Sequence, residues 1–453
     1  MYHRKGKFYH ASVTLSKHVP HRLEHYFEFE QLGTNWRTEI LAGLTTFVTM
    51  AYIIFVNPSI LHEAGMPFKA VVAATCFCAA FGSILMGAFA RYPIALAPGM
   101  GLNAYFTYTV VKGMGVSWET ALGAVFISGV AFLLLTLIGI RELIFNAIPP
   151  ELYAAVAAGI GLFIAVIGLR NSGIIIASPA TLVTLGNLRD KNTLVAIAGL
   201  MIIAALLAWN VRGAMLIGIL ATTLLAALCG LTHWSPETYR VSDIAATAGK
   251  LNIKSAWSLG FLEIVFVFLF VDLFDNIGTL VGVGKKAGLF DDANKIPRIR
   301  RILVADATST IAGSLAGTST VVSYIESAAG VVAGGRSGVT AIVTGLLFIA
   351  ALFVAPLVGA VPSAATAPAL IVVGSLMMSQ VSEIRWTEPV VAIPAFLTLI
   401  TIPLTFSIAN GLAFGFTSYA ILKLLRGEFR RDQWLVYVLA ALFIARFIYL
   451  GAS

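Results

Sequence analysis

Charge is what this sequence lacks most. Only 11% of its 453 residues are Asp, Glu, Lys or Arg, 58% are hydrophobic, and the mean hydropathy is +0.90. Soluble domains carry about 25% charged residues, so a soluble fold, which could not hide this much apolar surface, is excluded. Cysteine is scarce as well: Cys76, Cys78 and Cys229 are odd in number and lie in apolar stretches. No loop cysteines pair up, which excludes a disulfide framework and leaves the three as small packing residues. Residues 1–38 are polar and His-rich, with no cleavable apolar core, so the first apolar span is expected to direct insertion. Metal-ligand clusters, nucleophile motifs and phosphate loops are missing, which argues against an enzyme and against a resident cofactor. The net charge of +8 does not call for a nucleic-acid partner, because the basic residues are dispersed between apolar stretches rather than gathered on one face.

What is present is a series of apolar stretches long enough to cross a bilayer. They fall at 39–61, 68–89, 93–112, 117–140, 150–169, 191–209 and 213–231, then at 257–284, 297–315, 318–333, 337–358, 362–379, 387–405, 408–425 and 432–450. Alternating strands of a β-barrel are not seen, so the spans are helical. Two runs of seven, plus one, predict an all-α polytopic membrane protein in one membrane domain. An odd number of crossings inverts the second half relative to the first, and inverted repeats are a common transporter architecture. With a cytoplasmic N-terminus, the inside segments hold most of the Lys and Arg, including Arg91, Arg141, Arg212, the group from Lys285 to Arg301, Arg336, Arg385 and the group from Lys423 to Arg431. That orientation obeys the positive-inside rule. The segment around Tyr26, Phe27 and Phe29 is expected along the cytoplasmic interface.

Both halves are interrupted at their third span. Arg91 to Asn103 carries two prolines and two glycines, and Gly313 to Glu326 is rich in Gly, Ser and Thr. Each reads as an extended piece followed by a short helix. Irregular backbone at membrane depth is tolerated only where protein or a water-filled cavity satisfies it, so the paired interruptions in spans 3 and 10 mark a binding site. Small residues that merely permit close helix packing are the plainer explanation of either stretch alone; their matched position favours a site.

Carboxylates interrupt the apolar spans. Asp272 and Asp275 lie in span 8, with Thr279 one turn on, and Glu326 begins the short helix of span 10, as Asn103 begins its counterpart. Burying Asp275 and Glu326 costs about 5 to 7 kcal/mol together on insertion scales, which a function must explain. No Lys or Arg lies in span 8 or in 302–335, so neither acid has an obvious fixed cation, and such carboxylates can take up protons. A packing hydrogen bond explains Asp272 equally well, and Glu263 is placed near the outer mouth. A carboxylate accepts from a heterocycle's N–H, an Asn amide donates and accepts, and Tyr105, Phe106, Tyr324 and Phe274 are candidate aromatic walls for a planar ring. All seven histidines fall outside these spans, which leaves the carboxylates as proton carriers.

The motifs Gly99-Met-Gly-Leu-Asn-Ala-Tyr-Phe, Val271-Asp-Leu-Phe-Asp-Asn-Ile-Gly-Thr-Leu and Gly317-Thr-Ser-Thr-Val-Val-Ser-Tyr-Ile-Glu-Ser-Ala-Ala-Gly resemble those of the AzgA-like purine permeases, in the nucleobase:cation symporter family 2 group. The resemblance begins near Asn35, takes in Thr49-Met-Ala-Tyr-Ile-Ile-Phe-Val-Asn-Pro, and runs almost to the end. It implies a 7+7 inverted-repeat transporter with a core of spans 1–4 (39–140) and 8–11 (257–358) and a gate of spans 5–7 (150–231) and 12–14 (362–425). Residues 1–38 are expected to form a cytoplasmic segment, and the apolar helix 432–450 departs from the family by exceeding fourteen spans, as either a fifteenth crossing or an interfacial helix with Arg446 snorkelling. It further implies a multi-pass protein of the inner, cytoplasmic membrane that imports adenine, guanine or hypoxanthine by proton symport, as a homodimer with an elevator-like movement. Asn103, Asp275, Glu326, Thr279, Thr318, Tyr324 and Phe274 are the expected substrate residues, and Asp275, Glu326 and Asp272 the expected proton carriers. Rival readings are a uracil or xanthine symporter, from which span 8 differs, an anion transporter of the same fold, which would want a cation near the short helices, a channel, and a membrane enzyme.

Overall fold

A backbone in hydrocarbon must satisfy its own hydrogen bonds, and the apolar stretches do so as helices. The computed structural model describes residues 21–139, 148–232, 241–258, 261–287, 296–429 and 433–449. Arg141, Lys295, Arg430 and Arg431 lie outside the described residues, as do the side chains of Glu263, Phe274, Lys285, Lys286 and Arg446.

In chain order the helices are α1 (His21–Tyr26), α2 (Phe29–Leu32), α3 (Trp36–Met50), α4 (Ile53–His62) and α5 (Phe68–Leu85), which continues as a π-helical turn over Met86–Ala90. Strand β1 (Leu96–Pro98) leads into α6 (Met100–Ala104), which widens to π-helix over Tyr105–Gly113. Then come α7 (Trp118–Leu137), α8 (Pro150–Asn171), the hairpin β2 (Ile175–Ser178) and β3 (Leu182–Leu185), α9 (Lys191–Ala208) and α10 (Ala214–Leu228). The second half holds α11 (Ile253–Ser258), α12 (Phe261–Ala287), α13 (Ile299–Ala316), β4 (Val321–Ser323), α14 (Ser327–Val332), α15 (Gly338–Ala351), α16 (Ser363–Met377), α17 (Pro389–Thr405), α18 (Ile408–Leu425) and α19 (Trp434–Tyr449). Among the described residues, seven helical segments are long and apolar enough to cross a membrane, and shorter apolar helices accompany them. Polar N-caps start several of these helices: Asn35 accepts from the Thr38 amide, Ser117 from Thr120, Asp190 from Asn192 and Thr193, and Ser337 from Val339.

Helices of the two halves interleave. α15 packs against α3 and α5, and α13 against α5 and α7, whereas α8 packs against α16 and α17, and α9 against α10 and α16. Glu39 locks one of these joints. Fully buried on α3, it accepts from the amides of Arg336 (2.9 Å), Ser337 (3.1 Å) and Thr340 (3.3 Å) and from the hydroxyls of Thr340 (2.6 Å) and Thr34 (2.7 Å). A carboxylate from one span thus caps the positive end of α15. Of the segment expected along the cytoplasmic interface, Phe27 and Phe29 are buried with Val339 and packed against Trp36, while Tyr26 is exposed. Cys76 and Cys78 are buried as expected of packing residues, but Cys229 is exposed at the end of α10. His62 is the last residue of α4, its ring Nδ1 bonded to the Met66 carbonyl, so one histidine does reach the end of a span.

The two interruptions pair with each other. β1 and β4 are antiparallel, with Leu96 opposite Ser323, Ala97 opposite Val322 and Pro98 opposite Val321. The amides of Gly99 and Tyr324 extend the ribbon to the carbonyls of Thr320 and Ala95. A two-stranded ribbon has two outer edges whose backbone groups need partners, and each edge is met by a hydroxyl from the preceding span. Ser83 on α5 accepts from the Leu96 amide (3.0 Å) and donates to the Leu96 carbonyl (3.1 Å). Thr310 on α13 treats Val321 in the same way, at 3.2 and 2.9 Å. Thr310→Val removes that hydroxyl at nearly constant volume and leaves an amide and a carbonyl unmet, an expected loss of about 1–3 kcal/mol. A lowered unfolding temperature of the purified variant would register it; an unchanged one would mean that water or a neighbour replaces Thr310.

Candidate functional site

The ribbon sends a short helix off each of its ends, α6 after β1 and α14 after β4. Gly317, at φ 97°, ends α13 in the left-handed conformation that glycine adopts without strain, and turns the chain into β4. On the other strand, Gly99 joins β1 to α6. A Cβ at Gly99 would stand 2.9 Å from Val322 Cγ2 and 3.6 Å from Asp275 Oδ2. Hydrogen as its side chain therefore lets α6 start against the carboxylate that α12 brings from the other half of the chain. Glu326, immediately before α14, is the second acid, and it and Asp275 are near enough for their charges to repel. Both are partly exposed within a well-buried neighbourhood, and no described cation pairs with either.

Tyrosines frame the pair. Tyr52, at the break between α3 and α4, donates its hydroxyl to Glu326 Oε1 at 2.6 Å. Tyr324 donates to the Pro98 carbonyl at 2.5 Å, so its hydroxyl is committed to β1 and its ring is what it can offer a ligand. Thr279 is buried one turn beyond Asp275 on α12. Tyr105 and Phe106 are fully buried, Tyr105 edge-on to Phe268 with ring centres 5.1 Å apart.

Asn103 and Thr318 belong to a neighbouring polar knot. Asn103 sits in the first turn of α6 rather than at its start; its amide donates to Asn57 Oδ1 at 2.5 Å and accepts from the Ser319 hydroxyl. Asn57 in turn donates to Thr75 Oγ1 (2.7 Å) and Thr318 Oγ1 (3.0 Å). All five side chains are buried, and they tie spans 1, 2, 3 and 10 together. Asp272 faces a third group: Asn276 donates to Asp272 Oδ1 (2.8 Å) and to Asp306 Oδ2 (2.7 Å), and accepts from the Ser323 amide at 3.0 Å. The structure therefore brings Asp275, Glu326 and Tyr324 to one place. Asn103 and Thr318 stand beside it in a closed network, and Asn276, which also donates to Asp272 on its own helix, braces α12 against α13 and β4.

Sequence reasoning did not single out Tyr52, Asn57, Asn276 or Asp306. Asp306 carried the same signal as Asp275, a carboxylate inside an apolar span. Tyr52 carried none, since a tyrosine in an apolar run reads as packing until its hydroxyl is placed. Among the described residues, no group of three or more His, Cys, Asp or Glu side chains is arranged to hold a metal.

Residues 37–414 match the family profile Xan_ur_permease, described as "Permease family". The chain is 48% identical over 437 residues to the guanine/hypoxanthine permease PbuG of Bacillus subtilis, covering 94% of this chain and 99% of PbuG. It is 44% identical over 430 residues to the adenine permease AdeP of Escherichia coli, covering 95% and 97%. In three dimensions it is similar to the transmembrane domain of a cyanobacterial bicarbonate transporter, BicA, with a TM-score of 0.64 at 16% identity over 86% of this chain and 97% of that one. That likeness is one of fold, the seven-plus-seven inverted repeat.

Proposed function

We propose, on the premise that this chain belongs to the permease family matched over residues 37–414, that it imports purine nucleobases by proton symport. It is a multi-pass membrane transport protein and not an enzyme; its relatives include adenine and guanine/hypoxanthine permeases. The observation that carries the proton-coupled reading is the pair of partly exposed acids, Asp275 of α12 beside Gly99 and Glu326 before α14, near enough to repel and with no described cation. Two like charges at close range in low dielectric favour a shared proton. A protonated pair can also meet a neutral purine, one oxygen accepting from a ring N–H and another donating to a ring nitrogen.

In this reading, proton and purine load together from outside, with Tyr324 as a ring wall and Thr279 as a further substrate residue. Asn103 and Thr318 then act from the adjoining knot, and Asp272 is a further proton carrier. A core of 39–140 and 257–358 moves against a gate of 150–231 and 362–425, and the separate packing of α3, α5, α7, α13 and α15 from α8, α9, α16 and α17 supports that division. The N-terminus is placed in the cytoplasm, the protein in the inner membrane, and the working unit is a homodimer. A transported charge crossing 100 mV supplies about 2.3 kcal/mol, enough for roughly 50-fold accumulation.

The anion-transporter reading is favoured by one finding, the fold shared with a bicarbonate transporter. Acids at both short helices oppose it, since an anion there would meet negative charge. Uptake of labelled hypoxanthine, guanine and adenine into cells that lack their own purine permeases separates the readings. Saturable uptake that an uncoupler abolishes, and that unlabelled purines but neither bicarbonate nor uracil compete away, is expected. Uptake that persists with the uncoupler would remove the proton, and competition by bicarbonate would restore the anion.

A further inference from the structure

The two acids of the site are not held alike. Among the described residues no donor reaches the Asp275 carboxylate, whereas Glu326 Oε1 accepts from Tyr52 at 2.6 Å. Tyr52 comes from span 1 and Glu326 from span 10, so the contact joins parts of the chain 274 residues apart. Its ring is fully buried, and the amides of Phe55 and Val56 both return to the Tyr52 carbonyl, at 3.0 and 3.1 Å, which fixes the backbone from which it projects. A carboxylate offers about four lone-pair directions on two oxygens, and a rigid hydroxyl aimed at one oxygen sets the plane of the group and leaves the other free. Tyr324 does not duplicate this role, because its hydroxyl is engaged by Pro98.

We propose that Tyr52 is the positioning residue for Glu326: by donating to Oε1 it holds the carboxylate so that Oε2 meets the purine, and affinity depends on that preorganisation. The inference rests on the reading of Glu326 as a substrate residue. A group held in its binding rotamer gives up little freedom when ligand arrives, and a donor to a carboxylate contributes more than one between neutral groups. Tyr52 then acts through Glu326, so its removal must matter less once the charge is gone.

The experiment is a double-mutant cycle in binding, read by titration calorimetry of hypoxanthine, guanine and adenine into purified full-length protein. Tyr52→Phe, which deletes one oxygen and keeps the ring, is expected to weaken the tightest of these purines about tenfold or more. In the Glu326→Gln background the same change is expected to cost less than about threefold. Equal losses in both backgrounds would show that Tyr52 acts independently of Glu326, as a packing residue would, and would overturn the proposal; so would unaltered binding by Tyr52→Phe. Should Glu326→Gln itself bind as tightly as the unaltered protein, the assignment of Glu326 fails and this inference with it. If Glu326→Gln binds weakly and Tyr52→Phe normally, the inference alone falls.

Discussion

Glu326→Gln and Asp275→Asn each reduce energised purine accumulation from roughly 50-fold to near the external level. Both changes are nearly isosteric and remove only the capacity to gain and lose a proton, so the short helices and the ribbon between them should stay in place. The expectation follows from cost. Two acids in apolar spans, near enough to repel and without a described cation, carry about 5 to 7 kcal/mol of insertion penalty. Neither the ribbon nor the start of α15 depends on them: the ribbon edges are met by Ser83 and Thr310, and α15 is capped by Glu39. Accumulation of labelled hypoxanthine at a fixed membrane potential, in cells whose variant protein level is matched to the parent, reads the effect. A variant that still concentrates purine, and still collapses with an uncoupler, takes its residue out of the coupling scheme.

Glu39→Ala is expected to be the most damaging change outside the site. The carboxylate gathers the amides of Arg336, Ser337 and Thr340 with the hydroxyls of Thr340 and Thr34. Deleting it strands several donors in a fully buried joint between α3 and α15. At about 1–3 kcal/mol for each group left unmet, the loss is at least about 3 kcal/mol. Glu39→Gln keeps an acceptor oxygen and should lose less, so the two variants separate the cap from the side chain's bulk. Purified yield and unfolding temperature should fall in the order parent, Gln, Ala; equal values for all three would show that the start of α15 does not need this cap.

The helical membrane class could be read from residue order alone, because bilayer thickness sets the apolar length a crossing needs, whereas among the described residues seven helical segments, not fifteen, are long and apolar enough to cross. The broken third span of each half was legible from Pro and Gly around residues 91–103 and from Gly, Ser and Thr around 313–326, and the structure has a strand in each. The pairing of those strands was not legible, since Ser83 and Thr310 are ordinary small polar residues until the edge they satisfy is seen. Asp275 and Glu326 stood out by their cost, and three dimensions bring them together. Residue order alone put Asp272 and Asp275 in one span, three residues apart. In the structure Asn276 draws Asp272 toward Asp306, while Asp275 lies against Gly99. Asn103 illustrates a different limit: a polar residue at a helix start is recognisable in sequence, but its commitment to Asn57 and Ser319 depends on neighbours from two other segments.

Proton movement accompanying purine uptake tests the central claim most directly. In lightly buffered suspensions of cells or proteoliposomes, adding hypoxanthine, guanine or adenine should make the medium more alkaline in step with uptake of the label, and Glu326→Gln should abolish the alkalinisation and hold the label near its external level. Purine entry that proceeds at full rate while external pH stays constant would contradict it.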